Sequence, residues 1–325
     1  MREYLEFYID GQWVDPIEFA TATTVNPATE EISGKIALGT GADVDRAVKA
    51  ARKSFASWSV TSRDERLDVL QRILEEYQRR SGDLAAAVSE EMGAPRGLAN
   101  GFQVGLALGH LTTAIEVLKN FRFEEQRGAT LIVKEPIGVC GMITPWNWPI
   151  NQVTVKVFPA LATGCTMPSQ ESHFSACILA EIFDAAGVPA GVFNLIQGRG
   201  SVVGAAMSIH PDIDMVSITG SESAGIEVAR NAATTVKRVC QELGGKSANI
   251  VLDDVDFAGN VAKGVTGMMV NSGQTCSAVS RMLVPKTRMD EAMRVAREAA
   301  ATVTVGDPGG NFAMGPVVSR SQFDS

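Results

Sequence analysis

Gly138-Val139-Cys140-Gly141-Met142-Ile143-Thr144 is a short, almost wholly apolar stretch, and its composition predicts a buried strand. Beyond it, apolar runs of strand length alternate with segments of helical periodicity. The predicted helices cover residues 176–186, 202–208 and 222–232, and the predicted strands cover residues 192–196, 215–219 and 236–242. Repeated units of this kind predict a mostly parallel sheet with helices on both faces. Such sheets bind ligands at the carboxyl ends of their strands.

The residues before this stretch predict a hairpin, several helices and a second hairpin. Asp10-Gly11 lies between alternating residues and predicts a tight hairpin turn. Asp43 is a candidate N-cap for one helix, and Ser62 with Glu65 forms a capping box for the next, which we expect to end near Ser81-Gly82. Further helices are predicted over residues 83–92 and 110–118, and a hairpin arm over about 121–136.

A second unit begins near Gly244-Gly245. Strands are predicted over residues 249–252 and 281–285, and helices over residues 255–271 and 289–300. We therefore expect one domain over residues 1–243 and the start of another over residues 244–325.

The overall composition argues against several classes of protein. The 325 residues are 45% hydrophobic and carry a formal net charge of −8, so we expect no basic groove for nucleic acid. The longest apolar runs are shorter than the roughly 20 residues of a membrane span, and the first residues show no apolar signal-peptide region. The five cysteines are odd in number and lack metal-ligand spacing, which favours a reducing, cytoplasmic compartment.

Cys276 is the cysteine best placed for chemistry. It follows Asn271-Ser272-Gly273-Gln274-Thr275, a small, polar stretch after a predicted helix that can present a side chain at a cleft. A nucleophilic thiol needs such exposure, whereas the alternative is a buried and inert thiol. The apolar surroundings of the other four cysteines favour that alternative for Cys140, Cys165, Cys177 and Cys240.

Two further stretches carry candidate catalytic groups. Glu242 lies between an apolar strand and a Gly-Gly turn, where partial burial would make its carboxylate a better general base; the alternative is an ordinary charge at a strand end. Thr144-Pro145-Trp146-Asn147-Trp148-Pro149 predicts a rigid turn whose asparagine amide can donate to a developing oxyanion. The alternative for this turn is a purely structural, packed one.

The glycine-rich stretch Gly198-Arg199-Gly200-Ser201-Val202-Val203-Gly204 lies between a predicted strand and a predicted helix. Its spacing departs from G-x-G-x-x-G, so by itself it is a weak signal for a dinucleotide. Thr219-Gly220-Ser221 ends the next strand, where a hydroxyl and the amides of a helix N-terminus can hold a pyrophosphate.

Taken in order, six motifs resemble those of the NAD(P)-dependent aldehyde dehydrogenase family, and the resemblance spans essentially the whole chain. The motifs are Pro145-Trp146-Asn147-Trp148-Pro149, Lys156 with Pro159-Ala160-Leu161-Ala162-Thr163-Gly164, Ile218-Thr219-Gly220-Ser221, Glu242-Leu243-Gly244-Gly245-Lys246-Ser247, Gly273-Gln274-Thr275-Cys276 and Gly315-Pro316-Val317-Val318-Ser319.

The resemblance implies a fold and a reaction. The fold would be α/β, with a Rossmann-like dinucleotide-binding domain over residues 1–243, an oligomerisation arm at about 121–136, and an incomplete catalytic domain over residues 244–325. Cys276 would attack an aldehyde to give a thiohemiacetal and then a thioester. Asn147 would stabilise the oxyanion, Glu242 would activate water, and Lys156 would help to position the other groups.

The resemblance also implies partners and cofactor contacts. The partners would be a small aldehyde and further copies of the chain, without nucleic acid or membrane. NAD would be the cofactor, with NADP not distinguished from it. Its contacts would come from Ile143, Thr144, Pro145, Trp146, Lys156, Gly198, Gly204, Thr219, Gly220, Ser221, Leu243 and Gly244.

The sequence departs from the family pattern in two places. Three residues are missing between Met167 and Pro168, including a Lys, and Gln170 stands where a Glu belongs. In the family these two groups hold the adenosine ribose, so we expect impaired cofactor binding unless the neighbouring loop absorbs the deletion. Family chains also continue past Ser325, so we expect an incomplete catalytic domain and a doubtful oligomer.

Three functions remain open at this point. The motifs favour an aldehyde dehydrogenase. The deletion and the early end favour a degenerate, non-redox member that acts by binding or assembly. Cys276, Asn147 and Glu242 would also suffice for a thiol esterase that needs no cofactor.

Overall fold

The computed structural model describes residues 1–171 and 173–324. The strands are β1 (Arg2–Tyr4), β2 (Phe7–Ile9), β3 (Gln12–Val14), β4 (Thr21–Val25), β5 (Ile32–Ala37), β6 (Glu124–Arg127), β7 (Thr130–Val133), β8 (Cys140–Ile143), β9 (Met167–Glu171), β10 (Phe193–Gln197), β11 (Met215–Gly220), β12 (Arg238–Leu243), β13 (Ala248–Ile250) and β14 (Arg281–Leu283).

Helices connect these strands. They are α1 (Gly41–Trp58), α2 (Arg63–Met92), α3 (Arg96–Leu98), α4 (Gly105–Asn120), α5 (Pro149–Ala162), α6 (Phe174–Ala185), α7 (Ala205–Ile209), α8 (Glu222–Ala233), α9 (Phe257–Met268), α10 (Met289–Ala301) and α11 (Arg320–Phe323). Wider π-helical turns cover Ala99–Val104 and Gly200–Gly204, and 3-10 turns cover Val270–Gly273 and Lys286–Arg288.

A seven-stranded sheet forms the centre of the molecule, in the order β12-β11-β8-β9-β10-β2-β3. The strands from β12 to β10 are parallel, and the hairpin β2–β3 adds antiparallel to one side. Every residue of β8 and β10 is buried, because helices cover both faces of a parallel sheet. The predicted parallel α/β sheet is therefore confirmed.

Strand β9 is paired along its whole length, at the place where the resemblance implies a deletion. It pairs with β10 from Met167↔Phe193 to Glu171↔Gln197, and with β8 at Met142↔Ser169. The sheet is therefore not shortened, which is the outcome expected if a neighbouring loop absorbs the deletion. Gln170 consequently stands at the carboxyl end of a central strand.

Two apolar cores lie on the two faces of this sheet. One contains side chains of α2, α4, α5 and α6, and the other contains side chains of α1, α7 and α8. A third, smaller core joins β13, β14, α9 and α10 around Val251, Phe257 and Val261. These elements follow β12 in the chain, where the sequence predicts the second domain.

Several helix boundaries differ from expectation. Thr40, not Asp43, is the N-cap of α1; the Asp43 carboxylate accepts hydrogen bonds from the amide (2.9 Å) and hydroxyl (3.0 Å) of Thr40. Helix α2 is continuous over 30 residues and does not end at Ser81-Gly82. Buried Leu84 and Val88 extend its apolar face, and this packing outweighs the roughly 1 kcal/mol that an internal glycine costs.

The N-terminal part contains a sheet that the sequence did not predict, β1-β5-β4. The hairpin arm exists as the two-stranded sheet β6–β7, but its first strand begins at Glu124, after the predicted start of the arm at about residue 121. Instead, the rings of Phe121 and Phe123 pack edge to face at 4.9 Å.

The segment Arg96–Asn120 is long and apolar enough to cross a membrane by length and composition alone, contrary to the sequence expectation. Within the fold, one face of its α4 portion packs into the first core through Leu111, Ile115 and Leu118. Core helices commonly have this composition, so it is weak evidence for a span.

Glu91 links α2 to the first turn of α6. Its side chain is buried and accepts hydrogen bonds from the amide nitrogen (3.1 Å) and hydroxyl (2.5 Å) of Ser175. Burial raises the pKa of Glu91 to about 7, from an ordinary value of 4.5, and the Ser175 hydrogen bonds oppose this increase.

We expect Glu91→Gln to remove a pH-dependent loss of stability. The pKa of Glu91 is higher in the folded protein than in the unfolded chain. The stability that the protonated side chain gives is therefore fully present below about pH 4.5, and it is lost as the pH rises to about 7. We compare the free energy of unfolding of the variant with that of the wild type. On going from pH 4 to pH 8, this difference should change by about 3 kcal/mol in favour of the variant. Urea unfolding at both pH values measures this, and Ser175→Ala should extend the loss to higher pH. An equal difference at both pH values would refute the assignment.

Candidate active site

A cleft of about 850 Å³ lies at the carboxyl ends of β8, β9, β11 and β12. Eleven of the predicted site residues line it: Ile143, Thr144, Pro145, Trp146, Asn147, Thr219, Gly220, Ser221, Leu243, Gly244 and Cys276. The cleft therefore brings together residues from both predicted domains at the edge where parallel sheets bind ligands.

The turn after β8 is rigid for reasons that the sequence suggested. Pro149 occupies the first position of α5, where its fixed φ suits a helix start and no amide hydrogen is needed. Trp148 is buried, and its indole nitrogen donates to Thr275 Oγ1 at 3.2 Å. Asn147 Nδ2 donates to the carbonyl oxygen of Gln274 at 2.9 Å. The turn is therefore tied to the two residues that precede Cys276.

The loop that carries Cys276 has an unusual backbone. Asn271, Ser272 and Gly273 are consecutive residues in the left-handed region, with φ of 60°, 57° and 74°. Buried Asn271 supports this conformation: its Nδ2 donates to the carbonyl of Asn147 at 2.8 Å, and its Oδ1 accepts from Gln103 Nε2 at 3.1 Å. Asparagine tolerates the left-handed region better than most residues. The loop ends with Cys276 exposed in the cleft.

The motif Gly315-Pro316-Val317-Val318-Ser319 holds this loop from the other side. Ser272 Oγ donates to the carbonyl of Gly315 at 2.9 Å, and Gln274 Oε1 accepts from the amide of Val318 at 2.9 Å. Gly315 in turn lies against Gly93, at the end of α2: a Cβ added at Gly315 would be 2.0 Å from the Gly93 carbonyl oxygen. The cysteine loop is thus held between two independent segments.

The other four cysteines differ in their exposure to solvent, and the sequence predicted this only in part. Cys140, Cys165 and Cys177 are buried, as expected. Cys240 is exposed on β12, so the expectation of a buried thiol is wrong there, because β12 is the edge strand of the sheet.

Glu242 is at the carboxyl end of β12, paired with Thr219, but its side chain is exposed and does not line the cleft. The partial burial expected from its sequence position is not found. Successive residues of a strand point to opposite faces, and Leu243 is the one that faces the cleft.

Lys156 lies beneath the cleft and does not line it. It is buried on α5, and its Nζ donates to Ser217 Oγ on β11 at 3.2 Å. This contact connects the helix that follows Asn147 with the strand that leads to Thr219.

The glycine-rich stretch after β10 has mixed roles. Gly200 lines the cleft, whereas Gly198 and Gly204 do not. A Cβ at Gly204 would lie 3.4 Å from Ile143, which is an ordinary contact distance, so the space there does not require a glycine. The Gly198 carbonyl accepts a hydrogen bond from Gln170 Nε2 at 2.7 Å.

Two polar atoms at the cleft lack protein partners. Thr219 Oγ1 and His173 Nδ1 are shielded from solvent, and neither has a hydrogen-bond partner in the described part of the chain. Ser221 caps α8 by accepting from the Ala224 amide at 3.2 Å. Buried polar atoms are normally hydrogen-bonded, so these groups suit a polar ligand that spans β9 to β12, as a dinucleotide does.

Several residues that build the site are not among the residues predicted from the sequence. His173 lines the cleft, and Asn271 and Gln274 hold the cysteine loop. A signal existed for Asn271, because an Asn-Ser-Gly run is typical of left-handed backbone. The sequence holds no comparable signal for His173.

The chain matches the aldehyde dehydrogenase family over residues 13–325. It belongs to the aldehyde dehydrogenase family. As a member it is an α/β oxidoreductase that acts on aldehydes. One curated relative is a 3-succinoylsemialdehyde-pyridine dehydrogenase from a Pseudomonas species, 52% identical across 100% of this chain and 69% of the relative. A putative aldehyde dehydrogenase from Staphylococcus aureus is 46% identical over the same shares.

Solved aldehyde dehydrogenases have the same fold. A cysteine-to-alanine variant of aldehyde dehydrogenase C from Pseudomonas syringae, in complex with NAD+ and octanal, is 50% identical with a TM-score of 0.96; the match covers 98% of this chain and 67% of that one. Betaine aldehyde dehydrogenase from Staphylococcus aureus, in complex with NAD+, is 32% identical with a TM-score of 0.94, over 98% and 65% of the two chains.

We expect Asn271→Ala to destabilise the protein by about 2–3 kcal/mol, because it removes the hydrogen bonds to Asn147 and Gln103 and leaves a non-glycine residue in the left-handed region. Asn271→Gly removes the same hydrogen bonds but relieves the backbone, so it should cost about 1 kcal/mol less. Denaturant unfolding of both variants tests this. Equal losses would show that the backbone conformation contributes nothing.

Proposed function

We propose that this chain oxidises an aldehyde to a carboxylic acid, with Cys276 as nucleophile, Asn147 as oxyanion donor and Glu242 as base. One observation carries the proposal. The loop that carries the exposed thiol is joined to the Asn147 side chain, because Asn147 Nδ2 donates to the carbonyl of Gln274, two residues before Cys276, and both residues line the cleft. A nucleophile and an oxyanion donor need such fixed relative positions.

The Cys276 thiolate would add to the carbonyl carbon of the aldehyde and give a thiohemiacetal oxyanion. One N–H of the Asn147 amide is directed at Gln274, and its second N–H is available for the oxyanion together with the backbone N–H of Cys276. After loss of hydride the carbon is a thioester on Cys276, and attack of water on it gives the acid and restores the thiol.

NAD(P)+ supplies the acceptor for this hydride. Thr219, Gly220 and Ser221 would hold its pyrophosphate at the start of α8, and Leu243 and Gly244 would face the nicotinamide half beside Cys276. The unpartnered Thr219 hydroxyl supports this assignment, since a bound phosphate oxygen would accept its hydrogen bond.

Glu242 would activate the water that hydrolyses the thioester. Its side chain is on the exposed face of β12, one residue before Leu243, so it reaches Cys276 only after turning toward the cleft. The exposed position lets the carboxylate release to solvent the proton that it takes from this water. Lys156 would act indirectly, through its contact with Ser217 under the cleft.

The relatives differ in what they act on, so a substrate panel is needed. One is named for a pyridine-bearing semialdehyde, and another was solved with octanal. We also infer a cytoplasmic location, which the five free cysteines support.

The decisive test is NADH formation from an aldehyde panel that includes aromatic and medium-chain aliphatic members. We expect Cys276→Ser to reduce kcat by at least about 10³-fold and leave the Kd for NAD+ unchanged, because only the nucleophile is altered. Cys240→Ser, at the other exposed cysteine, is the matched control and should keep full activity. NADH formation by Cys276→Ser at the wild-type rate would contradict the proposal. Ester hydrolysis without NADH formation by the wild type would instead favour a thiol esterase.

The hairpin arm β6–β7 would form an interface with a second copy of the chain. Leu131 and Val133 are about half exposed on β7 and offer an apolar surface. We expect Leu131→Lys with Val133→Lys to shift the protein from oligomer to monomer in sedimentation velocity, without loss of folded structure by circular dichroism. A wild-type chain that sediments as a monomer would contradict this assignment.

A further inference from the structure

A π-helical turn, Ala99–Val104, lies directly before α4 and contacts both segments that build the site. Such turns are rare, and they are frequent at functional sites. Two consecutive residues of this turn make the contacts. The Phe102 ring lies 6.1 Å from the ring of Trp148, in the turn after β8. Gln103 hydrogen-bonds to Asn271, in the loop that carries the exposed thiol. The π-helical turn therefore touches both sides of the junction between these segments.

The Gln103 side chain is held in place from several directions. It is fully buried, and its Nε2 donates to Asn271 Oδ1 at 3.1 Å and to Met92 Sδ at 2.9 Å. The next residue is also fixed, because the carbonyl of Val104 accepts a hydrogen bond from the buried Tyr77 hydroxyl of α2 at 3.0 Å. The amide of Gln103 is therefore anchored to the first core through α2.

The partners of Asn271 leave only one orientation for its side-chain amide. Its Nδ2 donates to the carbonyl oxygens of Asn147 at 2.8 Å and of Gln274 at 3.3 Å. A carbonyl oxygen accepts and does not donate, so Oδ1 of Asn271 has to face Gln103. Gln103 Nε2 is thus the first donor of a directed chain of hydrogen bonds. This chain continues through Asn271 to the backbone of Asn147 and Gln274.

The other polar atom of the Gln103 amide is unpaired. Its Oε1 is shielded from solvent and has no hydrogen-bond partner in the part of the chain that the structure describes. A buried acceptor without a partner destabilises a fold. Methionine has a similar length and would remove this acceptor, so stability alone does not account for a glutamine here. The donor that Gln103 directs at Asn271 does account for it.

We propose that Gln103 is a positioning residue for the reaction, an inference that rests on the proposed function. By donating to Oδ1 of Asn271, it fixes the amide that joins the turn of Asn147 to the cysteine loop. Gln103 does not line the cleft. The relative position of the oxyanion donor on Asn147 and the thiol of Cys276 therefore depends on a donor outside the cleft.

The test is NADH formation by Gln103→Met, which removes both polar atoms and keeps the approximate length of the side chain. We expect kcat to fall about 10- to 100-fold, because a misplacement of about 1 Å between reacting groups already costs up to about 10²-fold. The Kd for NAD+ should not change, since the residue is outside the cleft. The midpoint of urea unfolding should also stay at the wild-type value, because removal of the unpaired Oε1 offsets the lost hydrogen bond.

Gln197→Met is the matched control. Gln197 is also buried, its Nε2 donates to a sulfur atom, Cys177 Sγ, at 2.7 Å, and its Oε1 is likewise shielded without a partner in the described residues. Its side chain does not contact the cysteine loop or the turn after β8 through any of these bonds. We therefore expect Gln197→Met to keep the kcat of the wild type.

Two further measurements separate positioning from a general structural effect. In an Asn147→Ala background the oxyanion donor is absent, so adding Gln103→Met should lower kcat less than about 3-fold. Gln103→Glu is an independent variant, because a protonated carboxyl group can donate to Asn271 Oδ1 and a carboxylate cannot. The ratio of its kcat to that of the wild type should fall as the pH rises from about 6 to about 9, since burial raises the pKa of a carboxyl group.

The outcomes distinguish this inference from the proposed function. An unchanged kcat in Gln103→Met, or an equal fall in the wild-type and Asn147→Ala backgrounds, overturns the positioning role while the proposed function stands. If Gln103→Met does not fold, Gln103→Glu decides, and a reduced kcat ratio that does not vary with pH overturns the role. Absence of NADH formation by the wild type with every aldehyde overturns the proposed function, and this inference with it.

Discussion

Two hydrogen bonds join the turn after β8 to the loop after α9. Asn147 donates to the carbonyl of Gln274, and Asn271 donates back to the carbonyl of Asn147. The first positions the amide that would bind an oxyanion, and the second supports the left-handed backbone that turns Cys276 into the cleft. Because the turn follows a strand of the central sheet and the loop follows a helix of the third core, this pair also connects the central sheet to the third core. The relative position of the turn and the cysteine loop therefore depends on this junction.

The central sheet supplies the other constraint. Its parallel strands place the ends of β8, β9, β11 and β12 at one edge, so groups far apart in sequence meet without long loops. Strand β9 is decisive here, since it lies between β8 and β10 and its register fixes where Gln170 emerges. A deletion that shortened this strand would separate the two ends of the cleft. The structure keeps the pairing and changes the side chains at the cleft instead.

Much of this arrangement was predictable from sequence, and the failures have physical causes. Alternating apolar runs predicted the parallel sheet, since buried strands need apolar side chains on both faces. The predicted end of a helix at Gly82 is wrong, because a local helix-breaking residue does not reveal the buried face of α2 that continues through Leu84 and Val88. Cys240 was expected to be buried because its neighbours are apolar, but sequence does not show which strand is at the edge. Glu242 was placed on the correct strand end, and its exposure follows from a one-residue alternation that periodicity alone did not resolve.

The contact between Gly93 and Gly315 has a consequence for how this chain can diverge. Neither residue touches the cleft, yet a side chain on Gly315 would collide with the Gly93 carbonyl, and one on Gly93 would meet Pro316. Either collision pushes the segment that holds Ser272 and Gln274, and with it the backbone before Cys276. Sequence change at this buried contact is therefore limited by the reaction, although no atom of the contact takes part in it.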